Sequence, residues 1–291
     1  MSRLKFVIAG LCYKCLQWTR DPSDQVRSNL AVFANDDLGL RISCLGEFES
    51  DVLSFLRSSL GPEAQSKVFL DVGANAGNHV LGLASYFRHC HAFEPDPRTY
   101  KLLEVNVAEQ DNITTHPIAL SNSNGLVEFC LNNVNTGKSH ISDCSNDQDP
   151  IMGSNVTLQA RRLDDLDLAS EPIGLIKIDV EGHEKQVLEG AQSILQTQKP
   201  QIMLELLASD ISNKRAASLD FLASLGYSSF VSLEADSLHI SFINGVASFR
   251  WINHMLAGLS IMLRGVRAAK AVPLDISALK TKNYDAILVS M

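Results

Sequence analysis

The sequence has no excess of basic charge. Among its 291 residues, 25 are lysine or arginine and 33 are aspartate or glutamate, which gives a formal net charge of −8 at pH 7. A protein that binds nucleic acid or anionic lipid over a broad surface needs a positive electrostatic field. The composition therefore argues against a nucleic-acid partner, does not favour contact with a membrane surface, and favours a small or neutral partner.

The sequence also lacks a cysteine framework. Its six cysteines are scattered, at Cys12, Cys15, Cys44, Cys90, Cys130 and Cys144. Cys12 and Cys15 have half of a zinc-site spacing, but no second pair follows them. We therefore expect reduced thiols, no metal, and a cytoplasmic protein.

Long apolar runs are scarce. The apolar stretch at residues 4–18 is interrupted by Lys14 and is too short to cross a bilayer, and no signal-peptide cleavage site follows it. Residues 251–266 have a broad apolar helical face that is followed by basic residues. We expect both stretches to be helices docked on the protein, and contact with a membrane surface is the less favoured alternative.

A complete dinucleotide fingerprint is missing as well. Residues 68–72 (VFLDV) are short and apolar, which predicts a buried parallel strand. Gly73 and Gly77 follow, but Asn75 stands where G-x-G-x-x-G has its middle glycine. The carboxylate of Asp71 would repel a pyrophosphate and suits a cationic ligand. The stretch therefore favours S-adenosylmethionine over NAD.

A second acid, Glu94, lies at the end of the next predicted strand, 21 residues after Gly73. A carboxylate at this distance can bind both hydroxyls of a ribose, a group that adenosyl and NAD ligands share. Ligands of a doubly wound sheet lie beyond the carboxyl ends of its strands, so we place residues 119–121 beside the adenine. The predicted cofactor site comprises Asp71, Gly73, Ala74, Asn75, Gly77, Asn78, Glu94, Pro95, Ala119, Leu120 and Ser121.

Six blocks of the sequence resemble the FkbM-type S-adenosylmethionine-dependent methyltransferases. They are residues 45–49 (LGEFE), 69–79 (FLDVGANAGNH), 92–95 (AFEP), 118–121 (IALS), 163–166 (LDDL) and 176–184 (IKIDVEGHE). The resemblance implies a class I methyltransferase fold, S-adenosylmethionine as methyl donor and a hydroxyl acceptor. It also places residues 46–49 near the cofactor pocket, which makes Glu49 a weak candidate there.

The predicted fold is α/β, with a doubly wound, Rossmann-like and mostly parallel sheet that has one antiparallel strand near its C-terminal end. We expect an N-terminal helix, linker and lead-in helix in residues 1–60, and the methyltransferase domain in residues 61–291. A β insertion is predicted at about 122–162 and a helical addition at 234–283. Residues 91–95 are predicted to end a strand, and the other predicted strands are 68–72, 113–120, 125–132, 155–162, 173–180, 200–206, 227–233 and 284–289. Predicted helices are 48–60, 80–87, 97–107, 184–196, 211–225 and 251–266.

The predicted chemistry lies at residues 179–184 (DVEGHE), where a strand ends. Asp179 and Glu181 should point the same way, because side chains alternate along a strand. A hydroxyl nucleophile needs a base, and His183 is the first choice because its ordinary pKa is near neutral. Glu181 is the second choice, with Asp179 orienting the acceptor or holding the cofactor's amino end. These three residues could instead bind a divalent cation, although we assign no metal ligands.

Three functions stay open from the sequence. The leading one is O-methylation of a hydroxyl on a sugar, glycan or secondary metabolite. The alternatives are an NAD-dependent oxidoreductase and a non-catalytic relic of the fold. The long polar loop at residues 132–150 is a further candidate for substrate recognition or a lid, and His140 within it is a candidate base or hydrogen-bond partner. The oligomeric state is left open.

Overall fold

An eight-stranded mixed sheet is the framework of the protein. The structure is a computed structural model and describes residues 30–33, 36, 38–39, 42, 46–132, 136–141, 152–168, 170–234 and 269–291. The strands of this sheet are β1 (Val68–Val72), β2 (His89–Phe93), β3 (Ile113–His116), β8 (Ile173–Ile178), β9 (Gln201–Leu206), β12 (Ser229–Glu234), β13 (Lys270–Pro273) and β14 (Tyr284–Ser290). The strands of two smaller sheets are β4 (Ala119–Leu120), β5 (Gly125–Asn132), β6 (His140–Ile141), β7 (Met152–Arg161), β10 (Ile211–Ser212) and β11 (Arg215–Ala216).

The order of the main sheet is β13-β12-β14-β9-β8-β1-β2-β3. Neighbouring strands from β3 to β9 pair in parallel, whereas β14 is antiparallel to β9 and β12 is antiparallel to β14. The predicted doubly wound class I fold is confirmed. The described part of the C-terminal addition also contributes β13, an edge strand antiparallel to β12.

The helices are α1 (Ser50–Ser59), α2 (Asn78–Leu83), α3 (Pro97–Val107), α4 (Glu184–Gly190), α5 (Gln192–Gln198) and α6 (Ala217–Ser224). Alternate side chains of the central strands serve two hydrophobic cores, one on each face of the sheet. Leu70 and Ile176 pack in the core that contains the residues of α4 to α6, and Phe69 and Leu175 pack in the core with α1 to α3. Burial on both faces explains why these strands are apolar throughout.

Local chemistry sets several boundaries. Helix α3 begins where the side chain of Asp96 accepts the amide of Arg98, with Pro97 at the first helical position. The strand predicted at 113–120 is wrong beyond His116, because Pro117 has no amide to donate and β4 pairs with β7 in the second sheet. That sheet has the order β4-β7-β5-β6 and forms the β insertion.

Two predicted helices differ from the structure. The first part of the helix predicted at 211–225 is instead a hairpin, because Asn213 and Lys214 both have positive φ and reverse the chain between β10 and β11. The helix predicted at 184–196 is divided at Ala191 into α4 and α5. The helices predicted at 4–18 and 251–266 lie outside the described residues.

Of the cysteines that the structure describes, Cys90 is a buried free thiol and Cys130 is disulfide-bonded. The expectation of reduced thiols throughout is therefore wrong for Cys130, and the cytoplasmic location that rested on it stays a prediction. Across the described ranges, none of the helices is long and apolar enough to cross a membrane.

Candidate active site

The glycine loop between β1 and α2 is closed by its own hydrogen bonds. The amides of Gly73 and Ala74 both donate to the carbonyl of Phe93 at 3.0 Å. The amide of Asn75 donates to Oε2 of Glu94 at 2.9 Å. The loop is therefore fastened to the end of β2.

The remaining loop amides are also used. Ala76 N donates to Oδ1 of Asn75 at 2.7 Å, and Gly77 N donates to the carbonyl of Ala74 at 2.9 Å. Every amide from residue 73 to residue 77 thus has an acceptor within the protein. A pyrophosphate cradle needs amides that point at the ligand, and this loop has none in that state.

Glycine at position 73 is required by geometry. Its φ is 79°, and a Cβ placed there would lie 1.9 Å from the carbonyl oxygen of Asp179. Asn75 and Gly77 also have positive φ, at 49° and 94°. The loop can follow this path only because it carries residues that tolerate the left-handed region, and it touches the end of β8 directly.

Glu94 is a buried acid held by two backbone amides. Its Oε2 accepts Asn75 N, and its Oε1 accepts Asp96 N at 2.8 Å. Burial raises the pKa of Glu94 to about 8, although both amide hydrogen bonds favour the charged form. Each oxygen keeps a second lone pair, so the group can still accept hydroxyls of a ribose. Pro95 lies between the two residues that fix this turn.

Asp71 faces a cation from the protein itself. Its side chain has no exposed surface, and its Oδ1 lies 3.4 Å from Nζ of Lys177 on β8. Nζ also lies 3.1 Å from Oδ2 of Asp179 and donates to the carbonyl of Gly73 at 3.3 Å. Burial would lower the pKa of Lys177, but Asp179 and Asp71 together raise it. Lys177 is therefore charged between the two acids.

Asp71, Lys177 and Asp179 form a trio that moves the negative charge available to a cationic ligand from Asp71 to Asp179. Asp179 has 35% of its side chain exposed, against 0% for Asp71, so Asp179 is the acid of the trio that a ligand can contact. Burial would raise the pKa of Asp179, but Lys177 keeps it below its ordinary value. Both Asp71 oxygens lack a hydrogen-bond partner within the described residues. Asp71 therefore acts on the site only through its electrostatic field, whereas the exposed carboxylate of Asp179 can contact a ligand directly.

The segment before α1 packs against the start of α2. The side chain of Asn78 accepts the amide of Phe48 and donates to its carbonyl, both at 2.9 Å. Oε2 of Glu49 lies 3.1 Å from Nε2 of the buried His79. Asn78, which we predicted in the cofactor site, therefore holds the lead-in segment in place.

A group of acids lies where β8 and β9 end. Asp179, Glu181 and Glu205 each place one carboxylate oxygen within 4.8 Å of those of the other two. Glu181 has a φ of 54° and precedes Gly182, whose φ is 94°, so a left-handed turn delivers the side chain to this group. Burial, with Asp179 and Glu184, raises the pKa of Glu181 to about 7.

Glu184 is occupied with the turn itself. Its Oε1 accepts the amides of Val180 at 3.3 Å and Gly182 at 3.1 Å. Burial raises the pKa of Glu184 to about 7 despite those two hydrogen bonds. This side chain fixes the turn that presents Glu181.

His183 points away from the acids. Its Nε2 lies 2.9 Å from Oγ of Ser121, and the charge that acts on it is that of Glu189. Burial lowers the pKa of His183, so the ring is neutral at neutral pH. The divalent-cation alternative needed His183 beside Asp179 and Glu181, and the structure directs it elsewhere.

Residues 119–121 are brought to the same edge. Ala119 and Leu120 are buried and pair with Ala160 and Arg161 of β7, and Ser121 N donates to the carbonyl of Arg161 at 3.0 Å. The contact between Ser121 and His183 links the predicted adenine side of the pocket to the predicted catalytic turn.

Sequence reasoning missed Lys177 and Glu205. Lys177 is the only charged residue of β8, and Glu205 is the only charged residue of β9. The two strands are paired neighbours in the sheet. A buried charge is costly unless it is paired, so both positions carried a signal that a partner lies at the neighbouring strand end. Which partner it is depends on the strand order, which the sequence did not state.

Comparisons with known proteins show which sequences and structures this chain resembles. The family described as "Methyltransferase FkbM domain" matches residues 71–229. The 2-O-methyltransferase NoeI of Sinorhizobium fredii is 27% identical over 150 residues, which are 46% of this chain and 60% of NoeI. The hexuronic acid methyltransferase AglP of Haloferax volcanii is 29% identical over 153 residues, which are 51% of this chain and 59% of AglP.

The chain thus spans about three-fifths of the length of these two relatives. A crystal structure of methyltransferase FkbM from Methylobacillus flagellatus aligns with a TM-score of 0.43 and 19% identity, covering 74% of this chain and 55% of that one. The family match extends over more than half of the sequence and includes the glycine loop, Glu94, the turn at 179–184 and Glu205. The chain belongs to the FkbM methyltransferase domain family.

Proposed function

We propose that the protein is an S-adenosylmethionine-dependent O-methyltransferase whose acceptor is a hydroxyl on a sugar, a glycan or a hydroxylated small molecule. The observation that carries the proposal is the contact between Gly73 and the carbonyl of Asp179. This contact joins the loop that would hold the donor to the turn that presents Glu181. A methyl group and a base for the acceptor can therefore meet across one short gap.

The pocket fits S-adenosylmethionine better than NAD. The loop amides from 73 to 77 already donate within the protein, so a pyrophosphate would find no donors there while facing Asp179 and Glu181. A sulfonium and an ammonium group carry positive charge, which these acids favour. When bound, the donor would supply a methyl group from its sulfonium, and the electron pair of the broken carbon–sulfur bond would stay on sulfur.

Glu181 is the better candidate for the base. Its pKa of about 7 means that it is substantially ionised at neutral pH and yet basic enough to accept a proton, which is the range general bases use. His183 Nε2 instead lies 2.9 Å from Oγ of Ser121, and His183 is not part of the acid group. We assign the base to Glu181 and give His183 the task of holding Ser121.

Relatives support the acceptor class. NoeI is named a 2-O-methyltransferase and AglP a hexuronic acid methyltransferase, and both names describe a methylated sugar or a methylated oxygen. One name specifies a methylated oxygen and the other a sugar acid, and together they support an acceptor oxygen on a carbohydrate. The acids at the strand ends are suited to accept hydrogen bonds from hydroxyls.

The test is a methyl-transfer screen with isotope-labelled S-adenosylmethionine over hydroxylated sugars, glycans and small metabolites. Calorimetric titrations with S-adenosylmethionine and with NAD accompany it. We expect heat with S-adenosylmethionine and label on an acceptor oxygen. Heat with NAD alone would support the oxidoreductase alternative, and silence with both would support the non-catalytic one.

The base assignment is tested on the same acceptor. Glu181→Gln should lower kcat at least about a hundredfold while the affinity for S-adenosylmethionine stays within about threefold, since general bases contribute a factor of this order. His183→Ala should lower kcat less. In the wild type, kcat should rise with pH through about 7 as Glu181 loses its proton. A larger loss of kcat in His183→Ala than in Glu181→Gln would move the base to His183.

A further inference from the structure

Glu205 is an acid with no role assigned so far. It is the next-to-last residue of β9, and β9 is paired with β8, so its side chain lies beside Asp179. A carboxylate oxygen of Glu205 lies within 4.8 Å of one of Asp179. A hydrogen bond between the two groups lowers the pKa of Asp179 and raises that of Glu205. Two carboxylates repel, and a hydrogen bond between two carboxyl oxygens needs a proton.

The surroundings decide which of the two carries the proton. Lys177 lies 3.1 Å from Asp179 and favours its charged form. The pKa of Glu205 is instead raised to about 10 by burial and by the neighbouring acids Asp179 and Glu181. Asp179 is therefore the acceptor, and Glu205 is the donor.

Charges from each neighbouring element act in the same direction. Glu181 and Glu184 act on Glu205 from the turn that leads into α4. Asp210, which follows β9, acts on Glu181 and on Glu184. The opposing lysines act elsewhere: Lys177 acts on Asp179, and Lys138 acts on Glu181. The acids outnumber the cations here, so one of the acids must stay neutral.

We propose that Glu205 is a positioning residue of the acceptor site: its protonated carboxyl donates a hydrogen bond to Asp179 and so leaves Glu181 to receive the proton of the acceptor hydroxyl. The inference rests on the proposed function. In the step, the acceptor O–H bond breaks and its proton goes to the Glu181 carboxylate. The oxygen forms a bond to the methyl carbon, and the carbon–sulfur electron pair stays on sulfur. Glu205 keeps its own proton throughout.

The residue acts through its neighbours. With its proton in place, Glu205 holds the Asp179 carboxylate beside Lys177 and adds no charge next to Glu181. Without that donor, Asp179 is free to rotate away from Lys177 and to accept from the acceptor hydroxyl. The acceptor would then be held at the wrong acid.

The experiment compares Glu205→Gln, Glu205→Ala and the matched surface variant Glu234→Gln in the labelled methyl-transfer assay. Glutamine keeps an N–H donor for Asp179 in nearly the same shape, whereas alanine removes it. We expect Glu205→Ala to lower kcat about thirtyfold with the KM for S-adenosylmethionine within about twofold, and Glu205→Gln to recover kcat to within about threefold of the wild type. Glu234→Gln, at the exposed end of β12, should match the wild type.

Two results would overturn the proposal. If Glu205→Gln loses as much kcat as Glu205→Ala, the carboxylate itself is needed and Glu205 does not act as a neutral donor. If turnover needs added Mg²⁺, is abolished by EDTA, and is lost in Glu205→Gln, a cation instead of a proton joins these acids. Thermal melting of each variant identifies any loss that comes from misfolding, and Glu205→Gln alone decides the case if Glu205→Ala does not fold.

A second readout separates this inference from the function. Unfolding by urea at pH 8 needs no substrate, and there Glu205→Gln should be at least as stable as the wild type, with Glu205→Ala less stable than Glu205→Gln. A wild type without methyl transfer but with this order of stabilities would refute the proposed function and keep the proton on Glu205. Methyl transfer in the wild type with Glu205→Gln the least stable of the three would do the reverse.

Discussion

The glycine loop and the acid edge lie side by side at the carboxyl ends of β1, β8 and β9, and they are built on opposite principles. In the loop from residue 73 to residue 77, every amide donates to an acceptor in the protein. At the edge formed by Asp179, Glu181 and Glu205, carboxyl groups lie close together and burial and mutual repulsion raise the pKa of two of them. The hydrogen bonds of the loop are all made, whereas the carboxyl groups of the acid edge repel one another.

The difference fits the roles proposed for the two sides. A loop whose hydrogen bonds are all made is rigid and presents a fixed shape to a bound nucleoside. A group of crowded acids has protons that are easily moved, because a carboxyl with a pKa near 7 can give and take one at neutral pH. Lys177 connects the two sides, since it contacts Asp71 before the loop, Gly73 in the loop and Asp179 at the edge.

The largest effect is expected where the two sides touch. Gly73→Ala would place a Cβ 1.9 Å from the carbonyl oxygen of Asp179 at a φ of 79°. Because neither backbone can move without breaking the hydrogen bonds of the loop, we expect no measurable binding of S-adenosylmethionine by calorimetry and a clear fall in the melting temperature.

Gly226→Ala is the matched control for this collision. Gly226 has a φ of 95°, but the nearest atom to its Cβ would be Nζ of Lys199 at 3.7 Å. The Gly226→Ala variant should lose only about 1–2 kcal/mol of stability, which is the cost of the left-handed conformation for alanine. Equal losses in the two variants would mean that the contact between loop and edge is unimportant.

The next effect removes the connection between the sides. Lys177→Met leaves the buried Asp71 and its neighbour Asp179 without their cation, which should cost about 3–5 kcal/mol in the free energy of unfolding. Urea denaturation measures it. The control is Lys282→Met, whose partner Glu234 is an exposed acid 3.2 Å away, with an expected cost below about 1 kcal/mol. A Lys177→Met protein as stable as the wild type would show that the contacts of Lys177 with Asp71 and Asp179 add nothing to stability.

A smaller effect tests the loop's outer anchor. Glu94→Ala removes the acceptor for the amides of Asn75 and Asp96 and the proposed partner of the ribose. We expect the affinity for S-adenosylmethionine to fall at least about tenfold, or about 1.4 kcal/mol, in a calorimetric titration. Glu128→Ala, an exposed acid on β5, serves as the control. Unchanged affinity in Glu94→Ala would remove this residue from the cofactor site.

The smallest effect concerns the contribution of Glu181, at the acid edge, to stability as pH changes. A carboxyl whose pKa is raised by folding binds its proton more tightly in the native state, so its contribution to stability is complete below about pH 4.5 and is lost as pH rises through the folded value. For Glu181 that value is about 7. Glu181→Gln cannot ionise and should therefore be more stable than the wild type at pH 8, by on the order of 1 kcal/mol after allowance for its partial exposure. Urea denaturation at pH 5 and pH 8 measures the difference, and a wild type that gains stability relative to Glu181→Gln between these pH values would contradict it.

Much of the fold could be read from local pattern. The apolar run at 68–72, the glycines after it and Pro97 at the start of α3 are signals that lie within a few residues of one another. The errors came where local propensity was weak. Residues 211–225 have a helical pattern of apolar residues, but two positive φ angles at Asn213 and Lys214 turn its first part into a hairpin.

The candidate site divides in the same way. Glu94 and Glu181 were found because each follows a strand and lies next to a turn residue. His183 was ranked first as the base from its ordinary pKa, and its contact with Ser121 comes from the packing of α4 against residue 121, where a Cβ on Gly190 would lie 2.0 Å from the Ser121 carbonyl.

The sequence by itself determined that a strand, a glycine-bearing loop and a helix would form, and that acids would end the strands, because these features depend on neighbours along the chain. Only the tertiary structure decided that Lys177 lies between Asp71 and Asp179, that Glu205 meets Asp179, and that His183 does not. Those contacts depend on which strand ends lie side by side, and β1, β8 and β9 become neighbours only when the sheet is assembled across gaps of about a hundred and about twenty-five residues.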